Sequence, residues 1–217
     1  MLVSKRMAII VSALAAAVTA QPGWAQKWEF GAGGGGSFYK SQTVTAGSAS
    51  GRAGFANGFV ATAYLGHNMY RHVSGEIHYA FGKNDLQLTS GGAKAAFAGQ
   101  SHAVFYEFLV HSAPVGAKVR PFVAAGGRVK MYPGTGPEVT DTDLSHLAQL
   151  TKTQEWKGLL TFGGGVKIQA SKRTALRIEF RDFLTQFPNR VITPNRGAKV
   201  GGWIHDFVPI IGLTFLL

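Results

Sequence analysis

Residues 177–183 read RIEFRDF, and charged and apolar side chains alternate one for one from Arg177 to Arg181. Successive side chains of a β-strand point to opposite faces, so the charged residues share one face and Ile178 and Phe180 share the other. A soluble sheet would bury the apolar face and leave the charged face in water. A transmembrane barrel would do the reverse, with apolar side chains against lipid and polar ones inside. The rest of the chain decides between these two interpretations.

The composition describes one domain with few charges. The chain has 217 residues, of which 46% are apolar and 15% are charged, and its mean hydropathy is +0.07. Typical soluble domains contain about 25% charged residues. The 29 glycines show no collagen-like period, and the chain has no cysteine, so disulfides do not hold it together. These features favour a domain with a large apolar surface.

The N-terminus has the pattern of a secretory signal peptide. Lys5 and Arg6 precede an apolar run over residues 7–20, and small residues with a Pro-Gly pair follow. We predict a cleavable signal peptide over residues 1–25, with cleavage after residue 20 as the alternative, and a single domain over 26–217. An N-terminal membrane anchor is the other interpretation, but the run is shorter than the roughly 20 apolar residues that a span needs.

The positive charge of the chain restricts its partners. The net charge is +11, from 22 basic and 11 acidic residues, and removal of Lys5 and Arg6 leaves 20 against 11, or +9. A basic cytosolic protein would suggest nucleic acid, but export makes nucleic acid an unlikely partner. The anionic surfaces that an exported bacterial protein meets are lipid head groups, lipopolysaccharide and glycans.

The mature chain contains eight runs with the character of β-strands. They are residues 27–39, 57–68, 72–83, 99–112, 118–132, 155–170, 174–187 and 203–217. Tight turns alternate with long connections rich in Ser, Thr, Asn and Pro, at residues 40–56, 84–98, 133–154 and 188–202. Short periplasmic turns, long outer loops and an even strand number are typical of outer-membrane barrels. The predicted fold is therefore all-β, an eight-stranded antiparallel up-and-down transmembrane β-barrel preceded by a signal peptide.

Three stretches carry a resemblance to a known family. They are GHNMYRHVSGEIHYAF (66–81), RPFVAAGGRVKMY (120–132) and the terminal GLTFLL (212–217). The chain resembles the small outer-membrane β-barrel family of OmpA-like and OmpX-like eight-stranded domains, over essentially its whole mature length. The resemblance implies an outer-membrane location and specifies fold rather than activity. We expect a monomer without a cofactor, whose partners include outer-membrane lipid, periplasmic chaperones and the barrel assembly machinery.

The predicted interior contains charges of both signs. Its acidic residues are Glu29, Glu76, Glu107 and Glu179. Its basic residues are Arg120, Arg128, Lys130, Lys167, Arg177 and Arg181. Buried charges must be paired, so we predict a ladder of ion pairs along the barrel axis, with Glu76 and Glu107 paired to Arg128 and Arg177. The interior of eight strands barely accommodates side chains, so a plug is favoured over a narrow pore.

Two other functions remain open at this point. Seven histidines invite a lipid-modifying outer-membrane enzyme, with Ser101–His102 and His205–Asp206 near the outer end as candidate pairs. His111–Ser112 would lie at the periplasmic end, and none of these pairs has the context of a serine hydrolase. No pair of histidines has metal-ligand spacing on one predicted face. A soluble lipocalin-like barrel that binds an apolar ligand is the third possibility.

The last two loops carry further candidates. In the third loop Asp141 or Asp143 is predicted to cap a short helix. Its apolar face would contain Leu144, Leu147 and Ala148. Glu138 and the two aspartates are candidate cation ligands, although acidic loop residues are more often solvated. In the fourth loop a basic cluster would face the phosphates of lipopolysaccharide. It consists of Arg190, Arg196 and Lys199.

Overall fold

The computed structural model describes residues 27–136, 144–195 and 197–217. The predicted signal peptide lies outside them. The strands in chain order are β1 (Trp28–Tyr39), β2 (Gln42–Ala46), β3 (Ala49–Phe55), β4 (Gly58–Tyr70), β5 (Val73–Lys83), β6 (Leu86–Ser90), β7 (Ala93–Phe97), β8 (Gln100–His111), β9 (Val119–Pro133), β10 (Ala148–Leu150), β11 (Gln154–Gln169), β12 (Thr174–Gln186), β13 (Ile192–Pro194) and β14 (Trp203–Leu216).

Eight of these strands close into an antiparallel barrel in the order β1-β14-β12-β11-β9-β8-β5-β4. Each barrel strand lies beside its neighbours in the chain, and β1 pairs with β14 to close the sheet. The up-and-down barrel predicted from the sequence is confirmed, with strand limits that differ by a few residues. The second predicted run ends at residue 68, but β4 continues to Tyr70 and pairs it with Val73 through a register shift.

The long connections lie where they were predicted, but they contain strands that the sequence analysis did not predict. Strands β2, β3, β6 and β7 form a four-stranded sheet from the first two connections, and β10 pairs with β13 from the last two. Isolated bridges join Thr45 to Lys199 and Gly99 to Gly134. We call the assembly of these connections the outer cap, comprising the described residues of 40–57, 84–99, 134–153 and 187–202, and the barrel end that carries it the outer end.

The outer cap has an apolar core of its own. Its buried side chains include Val44, Phe55, Leu86, Leu88, Phe97, Leu144, Leu147, Leu150, Val191 and Ile192. Tyr132 and Ile204, from the outer ends of β9 and β14, belong to the same cluster, and so does Phe187 of the cap. The cap is therefore packed onto the barrel mouth by a continuous apolar contact.

The outer surface of the barrel is apolar around its circumference. Large exposed side chains from every barrel strand face outward, among them Phe59, Ile77, Phe108, Val123, Phe162, Phe180 and Ile211. In RIEFRDF, Ile178 and Phe180 are among them, whereas Arg177 and Arg181 are buried. The exterior therefore faces lipid, as in transmembrane barrels, and a lipocalin-like barrel with an apolar interior is excluded. Among the described residues, no helix has the length and apolar character needed to cross a membrane.

Candidate functional site

The half of the barrel interior farther from the cap contains a chain of alternating charges, which we call the ion-pair chain. It runs Arg120, Glu29, Lys167, Glu76, Arg177, Glu179, Arg181 and Glu107, with each residue paired to the next. These residues come from six strands, because alternate positions of each strand point inward. The pairing links distant parts of the chain across the lumen.

Glu76 lies at the centre of this arrangement. Arg177 holds its carboxylate with two parallel hydrogen bonds, of 2.9 Å from Nη1 and 2.8 Å from Nη2. Lys167 Nζ donates to Glu76 Oε1 at 2.9 Å, and His78 Nε2 lies 2.9 Å from Oε2. Bidentate arginine–carboxylate pairs combine strong bonds with fixed geometry. Glu76 is fully buried, so these partners replace the water that its charge has lost.

The guanidinium of Arg177 is also enclosed by aromatic rings. Its Cζ lies 4.3 Å from the centroid of the Tyr64 ring and 4.8 Å from that of Phe122. Its Nε donates to Glu179 Oε2 at 2.6 Å. Cation–π contacts gain strength where water is excluded. Arg177 is therefore held by two carboxylates and two rings, which fixes it in the lumen.

At the barrel end opposite the cap, the side-chain amide of Asn68 completes the chain. Arg120 Nη1 donates to Asn68 Oδ1 at 2.7 Å, and Asn68 Nδ2 donates to Glu29 Oε1 at 2.7 Å. Arg120 and Glu29 are 3.8 Å apart, so Asn68 bridges a pair that is only loosely in contact. A cavity of about 40 Å³ adjoins Glu29, Arg120 and Lys167 at this mouth.

An apolar layer lies above the ion-pair chain. Phe105 and Phe183 meet edge to face with ring centroids 5.2 Å apart, and both belong to a buried cluster with Leu159 and Val208.

The prediction of an inward Arg128 was wrong. Arg128 pairs in register with Phe105 and Leu159, yet its side chain is exposed. An unpaired guanidinium buried at this apolar level would be strongly unfavourable, and the side chain lies in solvent or lipid instead.

A second polar cluster lies between the apolar layer and the cap. Lys130 Nζ donates to Asp206 Oδ2 at 2.6 Å and to the Tyr39 hydroxyl at 2.9 Å. Ser37 donates to the other carboxylate oxygen at 2.5 Å. Asn84 extends this network by a 3.1 Å bond to Ser37. The inward Lys130 thus has a partner, Asp206, that the sequence analysis did not assign to the interior.

The pairing differs in part from the one expected. Glu76 pairs with Arg177 as predicted, but Glu107 contacts Arg181 and not Arg128. Glu76 and Glu107 are directly opposite each other on β5 and β8, so two like charges need cations reaching from the far wall. Arg177 and Arg181, both on β12, fill this role.

The candidate catalytic pairs are separated by the strand alternation. Ser101 is buried and donates to Asn84 Oδ1 at 3.0 Å, whereas His102 points outward and lies 2.8 Å from the Tyr79 hydroxyl. His205 likewise points outward while Asp206 is inside. Neighbouring residues of a strand face opposite ways, so neither pair can act on one substrate. His111 is also inside, with Nε2 2.8 Å from Ser74 Oγ.

The barrel wall carries an outward-facing pair that was not predicted from the sequence. The His205 Nδ1–H donates to Asp182 Oδ2 at 2.7 Å, and both side chains are partly exposed on the barrel wall. They are distant in sequence and become diagonal neighbours only through the β12–β14 register. A serine-hydrolase arrangement would add a hydroxyl at the other ring nitrogen. In residues 27–136, 144–195 and 197–217, no hydroxyl is hydrogen-bonded to His205, and no group of three His, Asp or Glu is arranged for a metal ion.

The two outer-loop predictions have separate outcomes. Leu144, Leu147 and Ala148 are buried together in the cap, but a single turn and strand β10 replace the expected helix. In the basic cluster, Arg190 and Lys199 are both exposed, and their backbones are held by different parts of the structure. The Arg190 amide donates to Glu155 Oε2, and Lys199 pairs with Thr45. Arg196 and the loop acids Glu138, Asp141 and Asp143 lie outside the described residues.

The barrel is similar to solved outer-membrane proteins. Neisserial surface protein A aligns with a TM-score of 0.55 and 10% identity over 88% of this chain and 97% of that chain. The N-terminal barrel domain of Pseudomonas aeruginosa OprF aligns with a TM-score of 0.46 and 12% identity, over 88% and 98%. Ail of Yersinia pestis gives 0.29 and 10%, over 85% and 99%. No protein-family model matches the chain, and no curated protein matches it.

At this identity the likeness to neisserial surface protein A concerns the fold alone. That fold is a small outer-membrane β-barrel, in agreement with the resemblance seen in the sequence. The exposed apolar side chains around the barrel, which we call the apolar belt, give independent physical support. Such a surface is stable only against lipid. Together the fold and the belt place the protein in the bacterial outer membrane.

Proposed function

We propose that the protein is a non-enzymatic, non-conducting outer-membrane barrel that presents its outer cap as a rigid surface towards outer-leaflet lipopolysaccharide. The observation that carries this proposal is the filling of the interior at successive levels. The ion-pair chain, the layer around Phe105 and Phe183, and the Lys130–Asp206 cluster follow one another along the axis. The apolar core of the cap then covers the outer mouth.

The ion-pair chain supports a plug rather than a conduction path. Its carboxylates and cations are engaged with each other, so a passing ion would have to break several charge-assisted hydrogen bonds. The layer above it offers only apolar side chains to an ion that has lost its water. An eight-stranded barrel leaves no room for a hydrated ion to pass beside these side chains.

The charge of the outer cap supports an anionic partner. Its exposed basic side chains in the described segments are Lys40, Arg52, Lys94, Lys152, Arg190 and Lys199. The acidic residue in the same segments is Asp85. Basic side chains at the level of the lipid head groups attract phosphates, and the attraction weakens as salt screens it.

Planar-bilayer recording tests the plug. Purified protein whose folded band shifts on heating is inserted into the bilayer, and steady current is recorded in about 1 M KCl, where a conducting barrel would give a large current. We expect no steady open level above the background of the empty bilayer. An ohmic conductance that scales with the number of inserted barrels would overturn the non-conducting part of the proposal.

Binding to lipopolysaccharide tests the cap. The barrel is reconstituted in phosphatidylcholine nanodiscs, and its binding to lipopolysaccharide aggregates is measured by co-sedimentation at low and high salt. We expect Arg52→Glu/Lys94→Glu to weaken binding by about tenfold or more at low salt, and high salt to reduce wild-type binding. Lys118→Glu/Lys172→Glu is the matched control, since it makes the same charge change on exposed periplasmic turns. Equal binding by all three proteins would contradict a role for the cap charges.

A further inference from the structure

The lipid-facing wall carries a cleft close to the outer end of the barrel. It has a volume of about 620 Å³ and is lined by Gly127, Arg128, Gly158, Leu160, Gln186 and Trp203, among others. Leu160 and Trp203 are exposed members of the apolar belt, so the cleft opens towards the membrane. Gln186 and Trp203 are paired at the outer ends of β12 and β14, which places the cleft at the level of the outer leaflet.

Glycines form the floor of this cleft. A Cβ added at Gly158 would meet no other atom within 4 Å, so the missing side chain leaves open space outside the wall. Gly127 has a different role, because a Cβ there would collide with the carbonyl oxygen of Leu159. The backbone of β9 can approach β11 closely only with glycine at this position. The result is a depression between the bulky side chains of Leu160 and Trp203.

Arg128 gives the cleft a positive charge. Arg128 lines the cleft and is exposed, although its backbone pairs in register with the buried Phe105 and Leu159. Within the part of the chain that the structure describes, no carboxylate lies within ion-pairing distance of Arg128. Asp182, on the same wall, is engaged by His205 instead. An unpaired cation on a lipid-facing surface is unfavourable unless an anionic group of the membrane approaches it.

We propose that this cleft binds one phosphate-bearing glycolipid of the outer leaflet, side-on against the barrel wall. Arg128 donates hydrogen bonds to phosphate oxygens, because the several N–H donors of a guanidinium match the geometry of a phosphate group. An acyl chain lies in the depression over Gly158, between Leu160 and Trp203. This site is separate from the cap charges, although it rests on the proposed membrane location. A lipid in this position would be an integral partner of the barrel wall.

Native mass spectrometry tests the cleft. Wild-type protein and variants are reconstituted in phosphatidylcholine nanodiscs that contain bis-phosphorylated lipid A, and retained lipid A is counted after detergent release. We expect one tightly retained lipid A on wild type. Arg128→Glu should lower its affinity by at least about tenfold, Arg128→Lys less, and Gly158→Leu should displace the lipid by filling the depression.

Matched variants separate the cleft from general effects. Lys83→Glu makes the same charge change on an exposed lysine of β5, and Ala32→Leu adds the same bulk at an exposed alanine of β1. Both should retain lipid A like wild type, and the heat-shift of the folded band checks every variant. If Gly158→Leu does not fold, the Arg128 series decides alone. Equal retention of lipid A by wild type, Arg128→Glu and Lys83→Glu would overturn the proposed lipid site. It would also be overturned if wild type retained phosphatidylglycerol as well as it retains lipid A. A wild type that folds and does not conduct but retains no lipid A would reject the cleft and leave the proposed function intact.

Discussion

The barrel and its outer cap are both built of antiparallel strands, but the barrel buries a network of charges whereas the core of the cap is apolar. The barrel encloses the ion-pair chain and exposes residues such as Phe108 and Val123. The cap encloses Leu88 and Leu147 and exposes Arg52. The backbone pattern is the same, so the difference comes from the surrounding solvent. Apolar side chains face lipid in one region and avoid water in the other.

The two regions therefore depend on different stabilising interactions. The barrel interior relies on pairing, because a buried charge without a partner costs several kcal/mol. The cap relies on burial of apolar area, which is less directional and tolerates conservative changes. Removing one charged partner inside the barrel should be more damaging than removing one apolar side chain from the cap.

The largest expected effect is that of Arg177→Met. This change leaves the buried carboxylates of Glu76 and Glu179 without their shared cation, and the free energy of unfolding should fall by about 3–5 kcal/mol. Urea titration of the purified barrel in detergent, followed by tryptophan fluorescence, measures the change. The heated and unheated gel mobilities report whether the barrel still closes.

Two further variants test the cause of this loss. Arg173→Met makes the same substitution on the exposed turn before β12 and should be near neutral. Glu76→Gln, added to Arg177→Met, removes one of the two carboxylate charges that have lost their shared cation, and it should restore part of the lost stability. No recovery in the double variant would mean that Arg177 acts by packing between Tyr64 and Phe122 rather than by pairing.

The next effect concerns the cap. Leu88 is fully buried, and Leu88→Ala should destabilise the cap by about 2–5 kcal/mol through lost contacts and a cavity. We expect proteases to cut the cap of this variant while the barrel keeps its heat-shift, because the two cores hold different kinds of contact. Limited proteolysis with mass mapping of the fragments provides the measurement.

Gln149→Ala is the control for the cap. Gln149 is exposed on β10, between the buried Ala148 and Leu150, so its truncation should leave the cleavage pattern unchanged. If Leu88→Ala abolished the heat-shift together with protease resistance, barrel and cap would be one cooperative unit. The two regions would then not be stabilised independently.

The barrel was predictable from the sequence because its strands are long and alternate. VSGEIHYAFGK in β5 repeats the alternation often enough to fix both the element and its faces. Arg128 shows the limit of this reasoning. Alternation assigned it to the lumen, but the level it would enter is filled by Phe105 and Leu159 from neighbouring strands. Such neighbours are known only once the register is known.

The cap was not predictable in the same way. QTVTA and LQLTS are five-residue strands, and their Ser and Thr content is equally typical of loops. Their sheet depends on pairing between connections far apart in the chain, such as Arg52 with Thr89. Leu144 and Leu147 have a helical spacing, which favoured a helix, yet one turn places both in the cap core. Non-local packing overrode the local signal.

The boundary between the two regions should show an intermediate effect. Asp206 accepts hydrogen bonds from Lys130 and Ser37 beneath the cap, and Asp206→Asn removes the charge that Lys130 requires. We expect the free energy of unfolding to fall by about 1.5–3 kcal/mol, measured by urea titration. Asp85→Asn, the same change at an exposed cap position, should have little effect. Equal losses in both variants would indicate a general charge effect.

The smallest effect is expected on the outer wall, where the same substitution tests the inside-out arrangement directly. Asp182 lies on β12 with its side chain outward, paired to a partly exposed His205, whereas Asp206 of β14 faces the lumen. The amide that replaces the carboxylate can still accept the His205 Nδ1–H, so Asp182→Asn should change the free energy of unfolding by no more than about 1 kcal/mol. Urea titration beside Asp206→Asn gives the comparison. If Asp182→Asn were the more damaging of the two, the charged face of β12 would have to be assigned to the opposite side of the wall.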